Sequence, residues 1–263
     1  MRAYKWWETA LVAALIGAFM ATGTPPRQSI APATAKLAAQ RPNPHIIALT
    51  FDDGPSPQYT PEILKLLTRY HAHATFFVLG TEVEQFPGVV RDIVRQGSAV
   101  ANHGFHHVNY FSVGVGGVLR DAARANALLK KEKIPAVPFY RPPFGNSNNR
   151  LVKAMSQAGY TLALWSIDTR DWAAPGTSFI TRRVLKNAQP GAIVLMHDGG
   201  GNRSQTVNAL AAILPVLESE GYRFVTLPQY VKDLGLKDPP KLPLPEPQNP
   251  QEAGQQSALA ARY

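Results

Sequence analysis

Between residues 45 and 231 the chain alternates two kinds of apolar pattern. Short runs rich in β-branched and aromatic residues fall at 46–51, 75–79, 98–101, 137–140, 161–167, 192–196 and 223–227. Between them lie stretches with apolar residues three and four apart, at 62–70, 89–95, 118–131, 150–158, 179–186 and 206–220. Runs of the first kind predict strands, and those of the second predict helices with one buried face. Thr60-Pro61-Glu62 is a helix-start signal, and Gly97 and Gly221 stand where two helices should stop. Strand–helix alternation calls for parallel strands joined by helical crossovers, and seven strands with six helices favour an incomplete α/β barrel over an open sheet. Polar clusters follow the strands: Asp52-Asp53 the first, His103 to His107 the third, Arg141 to Gly145 the fourth, Asp168 to Trp172 the fifth, His197-Asp198 the sixth. The carboxyl ends of parallel strands share one face, so these five clusters should meet at one mouth.

The flanks read differently. Met1, Arg2, Lys5, Trp6 and Trp7 precede a charge-free stretch from Thr9 to Pro26. Its apolar part, 10–21, is shorter than the ~20 residues that a spanning helix needs. A basic start and a short apolar run predict an export signal over 1–23. Ala21-Thr22-Gly23 offers small residues for cleavage, and Ala33-Thr34-Ala35 is a closer Ala-x-Ala match. A retained anchor, with Trp6 and Trp7 at the membrane interface, is the alternative. Residues 24–44 read as a Pro/Ala-rich linker, and 232–263 as a Pro-rich disordered tail.

Composition removes whole classes of chemistry. The 263 residues include no cysteine, which excludes disulfides, thiolate metal sites and a cysteine nucleophile. The net charge of +9 comes from 27 basic and 18 acidic residues with no basic arm or stripe, so nucleic acid is not an expected partner. A solvated basic surface, compatible with an acidic cell wall, fits better. There is no Gly-x-Ser-x-Gly elbow, no Gly-x-x-x-x-Gly-Lys loop and no Gly-x-Gly-x-x-Gly opening a helix. The Gly199-Gly200-Gly201 run reads as a loop shaped by close backbone approach.

What remains is a set of imidazoles and carboxylates. All seven histidines lie between positions 45 and 197, with His103, His106 and His107 crowded together. His103 with His107 would share one face of a helical turn, and His103 with His106 is the competing pair. Either pair plus one carboxylate from Asp52-Asp53 makes a two-His, one-Asp metal site with positions left open. The second aspartate is then free to take a proton from the attacking water, and His197 to donate one to a leaving amine.

Thr50-Phe51-Asp52-Asp53-Gly54-Pro55, His103 with His107, Arg141-Pro142-Pro143-Phe144-Gly145, Asp168-Thr169-Arg170-Asp171-Trp172 and Leu195-Met196-His197 occur in the order of five motifs. Together they resemble the polysaccharide deacetylases, carbohydrate esterase family 4, with a NodB homology domain over about 45–231. The resemblance implies a distorted, incomplete (β/α) barrel with Asp53, His103 and His107 as metal ligands. It implies Asp52 as general base oriented by Arg141, and His197 as general acid held by Asp171. The main-chain N–H of Phe144 would face the oxyanion, while Trp172 and Leu195 line the pocket for the acetyl methyl. The metal would be zinc, with cobalt, nickel, manganese or iron as alternatives, since this donor set discriminates poorly. The substrate would be an N-acetylglucosamine polysaccharide, peptidoglycan or chitin-like, met outside the cytoplasm by a monomeric enzyme. O-acetyl xylan esterase activity and a catalytically silent glycan-binding module are the alternatives. Two positions depart from the family pattern: Gly104 stands where Ser or Thr is usual, and Phe144 where Tyr is common.

Overall fold

The computed structural model describes residues 45–236. The expected export signal or anchor at 1–23, the linker at 24–44 and the tail beyond 236 lie outside the described residues. Among the described residues, no helix is long and apolar enough to cross a membrane.

In chain order the elements are β1 (Ile46–Asp52), α1 (Tyr59–Arg69), β2 (Ala74–Val78), α2 (Gly80–Gln85), α3 (Pro87–Arg95), β3 (Ala99–Asn102) and α4 (Tyr110–Lys131). Then come β4 (Ala136–Tyr140), α5 (Asn149–Gln157), β5 (Thr161–Leu162), β6 (Ile167–Asp168), α6 (Thr177–Asn187), β7 (Ala192–His197), α7 (Ser204–Ser219), β8 (Arg223–Phe224) and α8 (Leu227–Asp233). Every pairing is parallel, and seven strands follow one path, β5-β4-β3-β2-β1-β7-β6, with β8 beside the start of β1. The result is the incomplete barrel that the alternation predicts.

Alternation along each strand sorts the side chains into two layers. On β1, Ile47, Leu49 and Phe51 face the helices, in a cluster with Ile63 and Leu67 of α1 and Ile213 and Leu214 of α7. Ile46 and Ala48 face inward, packed with Phe77, Ile193, Leu195 and Trp165. The inward face of β1 therefore reads Ile46, Ala48, Thr50, Asp52, apolar at one end and polar at the other. β7 runs beside it with Ile193, Leu195 and His197 inward, and Asp52 stands opposite His197 in the register. The α7 face that covers the sheet carries Thr206, Ala209, Leu210, Ile213, Leu214 and Leu217, the spacing of one helical stripe.

Four elements differ from expectation. The run 161–167 is two short strands on opposite edges of the sheet, β5 against β4 and β6 against β7. Between them the chain crosses the gap in the barrel, with Ala163 N–H donating to Tyr140 O and Ser166 N–H to Ile193 O. The α4 helix begins at Tyr110 rather than 118 and is broken at Gly114, whose φ of 64° no helix accommodates. The α2 helix precedes α3 without a loop of any length. The strand expected at 223–227 stops at Phe224, because Thr226 turns its hydroxyl onto Gln229 N–H and caps α8. The α8 helix passes residue 231 and places Leu227 and Tyr230 in the inner cluster, with Leu234 and Leu236 against it.

The loop after β7 packs on the end of β1: Asp198 and Gly199 N–H both donate to Asp52 O, at 3.1 and 3.3 Å. A Cβ on Gly199 would sit 2.0 Å from Asp53 O, so only glycine fits this approach. Gly199→Ala should therefore destabilise the protein by about 1–3 kcal/mol through overpacking. Gly88→Ala is the contrast, an exposed position on α3 with nothing within 4 Å of an added Cβ. It should gain about 0.5–1 kcal/mol. Thermal melts decide it, since each kcal/mol moves Tm by roughly 2–4 °C in a domain of this size.

Candidate active site

The strand ends enclose a cavity of about 380 Å³ lined by Asp52, Asp53, His103, His107, His197 and Arg203 among others. Asp52 reaches it as the last inward residue of β1. Asp53 follows with a φ of 71°, leaving the extended conformation, so the next side chain does not alternate away. Both carboxylates thereby face one mouth. Aspartate is among the few residues that take this left-handed conformation without large cost.

Arg141 is fully buried at the end of β4. Its Nη1 donates to Asp52 Oδ1 and to Thr50 Oγ1, each at 2.8 Å. Its Nε donates to Ala163 O and its Nη2 to Leu164 O. The guanidinium lies over the Phe77 ring, 4.1 Å from its centre. Its main-chain oxygen, in turn, accepts from His103 Nδ1 at 2.8 Å. That bond places the proton of a neutral His103 on Nδ1 and leaves Nε2 as a lone pair facing the cavity.

Asp53, His103 and His107 bring ligand atoms within 4.8 Å of one another. Asp53 Oδ1 lies 3.3 Å from His103 Nε2 and 3.4 Å from His107 Nε2. This oxygen is buried and makes no well-formed hydrogen bond. Three electron-pair donors face one point, and a divalent cation fits that arrangement. Burial raises the Asp53 pKa, but His107, His103 and His197 outweigh it and hold the carboxyl far below its usual range. Burial likewise opposes charge on His103, yet Asp52 and Asp53 raise its pKa above normal. His107 goes the other way, lowered by burial. Its ring meets the edge of Phe144 at 4.5 Å.

His106, the competing ligand, points elsewhere: its Nδ1 lies 3.0 Å from Asp121 Oδ1 on α4. Across the cavity, His197 Nδ1 is 2.7 Å from Asp171 Oδ1, and His197 N–H donates to Asp171 Oδ2 at 2.8 Å. Burial disfavours the imidazolium, but the Asp171 charge and hydrogen bond raise His197 to about 9. Asp171 is held below its usual range by His197 against the opposing effect of burial. At neutral pH this pair is imidazolium and carboxylate, a proton donor aimed into the cavity. Phe144, in a tight turn over Pro143–Gly145 with φ 61°, lines the cavity with Trp172 and Leu195.

The structure also shows side chains to which the sequence pattern assigns no role. Thr206 on α7 donates its hydroxyl to Asp171 Oδ2 at 2.7 Å. Thr50 donates to Val194 O while accepting from Arg141, so the strand beneath the site is tied to its neighbour. Asp198 is wholly buried, takes the Thr60 hydroxyl on Oδ2 and leaves Oδ1 without a partner. Burial, reinforced by the Asp53 and Asp52 charges, pushes its pKa up to about 7. Thr50 sits inside the first motif and Asp198 in the polar cluster beside His197, so both were visible in the sequence, whereas Thr206 carries no local signal.

A family model for polysaccharide deacetylase matches residues 39–163. A peptidoglycan-N-acetylglucosamine deacetylase of Bacillus cereus is 44% identical over 192 residues, 72% of this chain and 90% of that protein. A chitooligosaccharide deacetylase of Sinorhizobium fredii is 37% identical over 194 residues, 70% of this chain and 90% of that protein. The solved structure of the peptidoglycan deacetylase PdaC from Bacillus subtilis superposes with a TM-score of 0.67 at 33% identity, covering 72% of this chain and 91% of that one. The chain belongs to the polysaccharide deacetylase family, the group with the NodB homology domain. It is a hydrolase of that family.

The His197–Asp171 pair makes a titration prediction. The folded value of about 9 lies above the ordinary 6.5, so the pair adds stability that is complete below pH 6.5 and lost as pH rises through 9. The His197 ring resonances, followed by NMR, should titrate near 9 in the native protein. Asp171→Asn should bring that midpoint down and flatten the loss of stability between pH 6.5 and 9. An unchanged midpoint would refute the assignment of Asp171 as the cause.

Proposed function

We propose that the protein removes N-acetyl groups from an N-acetylglucosamine polysaccharide, peptidoglycan in the first place, at or outside the cell surface. The observation that carries this reading is that Asp52 and Asp53 meet His103, His107 and His197 in one cavity, with Arg141 holding Asp52 by its guanidinium and His103 by its main-chain oxygen, and Asp171 holding His197. The names of the relatives support the amide of an amino sugar as the bond attacked. The expected leader at 1–23 supports export.

In this reading Asp53, His103 and His107 hold a divalent cation, zinc by preference, that supplies Lewis acidity at the acetyl carbonyl. Asp52 takes a proton from the water that adds to that carbonyl. Arg141 fixes the Asp52 carboxylate through Oδ1, leaving Oδ2 as the accepting atom. The Phe144 main-chain N–H faces the developing oxyanion. His197 gives its proton to the sugar nitrogen as the C–N bond breaks, so the products are a free amine and acetate. Trp172 and Leu195 form an apolar wall for the acetyl methyl.

Acetate release should be measured from peptidoglycan, chitin oligomers and acetylated xylan, with the native protein and after chelation. Release from peptidoglycan or the chitin oligomers, abolished by chelation and restored by zinc, is expected. Release from xylan alone would make the protein an O-acetyl esterase, and no release with glycan still bound would make it a binding module.

The adjacent aspartates test the division of labour. Asp52→Asn should keep the metal and lose about 10²–10⁴-fold in kcat, as removal of a general base does. Asp53→Asn should weaken metal binding, with part of the rate recovered in excess metal. Elemental analysis beside the rates would exchange the two roles if Asp52→Asn emptied the site and Asp53→Asn left it filled.

A further inference from the structure

The turn from His103 to His107 is gripped by a residue outside all five motifs. Asp121 lies on α4 and is buried. Its Oδ2 accepts the main-chain N–H groups of Phe105 at 2.7 Å and His106 at 3.3 Å, and its Oδ1 takes the His106 ring. The N–H one residue earlier, on Gly104, donates to Asn102 Oδ1 at 2.7 Å, and Asn102 Nδ2 donates to Ala122 O beside Asp121. Three successive amides between the two imidazoles are thus taken by side-chain oxygens anchored on or against α4. Hydrogen bonds from neutral N–H groups to a carboxylate are stronger than those between neutral partners.

Gly104 is part of the same device. Its φ is +90°, and a Cβ there would come 2.5 Å from Asp121 Oδ2. The position usually held by Ser or Thr in the family has no hydroxyl here, and the space beside it holds a carboxylate from the helix. On the outer side, Arg124 stacks over the Phe105 ring at 3.6 Å and places Nη1 3.3 Å from His106 Nε2. The two ring nitrogens of His106 are thus taken by Asp121 and Arg124, while His103 and His107 stand with ring centres 5.1 Å apart.

We propose that Asp121 is a positioning residue for the metal site: by holding the main chain between His103 and His107, it sets the separation of the two imidazoles. The inference rests on the reading of Asp53, His103 and His107 as ligands. A carboxylate that merely ties a loop to a helix would contribute stability alone. One that acts on the span between two ligands pre-organises them, and its loss appears as weakened metal affinity.

The test is zinc titration of the metal-stripped full-length protein by calorimetry, with Asp121→Ala, Asp121→Asn, His106→Ala and His103→Ala. Asp121→Ala should weaken zinc binding by about 10–100-fold, the range for an outer-shell partner. Asp121→Asn, which keeps the volume and one accepting oxygen, should fall between it and the wild type, and carries the test if the Ala variant does not fold. His106→Ala should bind zinc nearly as the wild type does, because the amide contacts survive. Hydrogen exchange at Phe105 and His106 N–H should speed up in both Asp121 variants, and saturating zinc should restore their kcat with KM unchanged. Wild-type zinc affinity in a folded Asp121 variant overturns the inference while leaving the ligand reading intact. Undiminished affinity in His103→Ala overturns both.

Discussion

The buried guanidinium of Arg141 is the interaction on which the rest of the site depends. Taking such a charge out of water costs several kcal/mol unless its hydrogen-bonding positions are filled. Here they are filled by the Asp52 carboxylate, the Thr50 hydroxyl and the carbonyls of Ala163 and Leu164. These acceptors come from the first strand and from the segment that crosses the gap in the barrel. The requirement to satisfy one cation therefore holds β1, β4 and the crossing segment together just under the cavity. The same residue's carbonyl orients His103, so one side chain and its own peptide hold both Asp52 and His103.

The electrostatics around this anchor separate groups of the same chemical type. Asp52 is matched to Arg141, Asp53 to three imidazoles, Asp171 to His197 and Asp198 to no cation at all. Four aspartates, three of them buried, thus sit in four different environments at one end of the sheet. The two imidazoles away from Phe144 are likewise distinguished by their partners: His103 Nδ1 meets the main-chain oxygen of Arg141, whereas His197 Nδ1 meets the Asp171 carboxylate. Register decides much of this. Asp52 and His197 face each other because two parallel strands each end on an inward-facing position.

Much of the architecture was legible because parallel β/α repeats leave strong local patterns. The alternation of apolar periods gave the strand order in sequence and the face on which the polar clusters meet. The geometry groups Asp53 with His103 and His107, and it ties His106 to Asp121, a distinction that spacing alone leaves open. What stayed hidden depends on partners far away in the chain. An apolar run at 161–167 looks the same whether it is one strand or two half-strands on opposite edges, because only the neighbours Tyr140 and Ile193 decide it. Thr206 and Asp121 lie on helix faces that read as ordinary amphipathic stripes, and their roles come from Asp171 and the main chain of Phe105. Gly114 hid the first turn of α4 because glycine-rich sequence predicts a loop.

The seam of the barrel bears on how this protein meets other polypeptide chains. An open sheet normally ends in a row of unpaired main-chain groups that can template another strand. Here each terminal strand is only two residues long. The groups beside them are already engaged: the N–H of Ala163 and Ser166 with neighbouring strands, the carbonyls of Ala163 and Leu164 with Arg141, and that of Asp168 with Arg183. The opening that makes the barrel incomplete is thereby insulated against strand addition, and the charge that orients the site also blunts the edge.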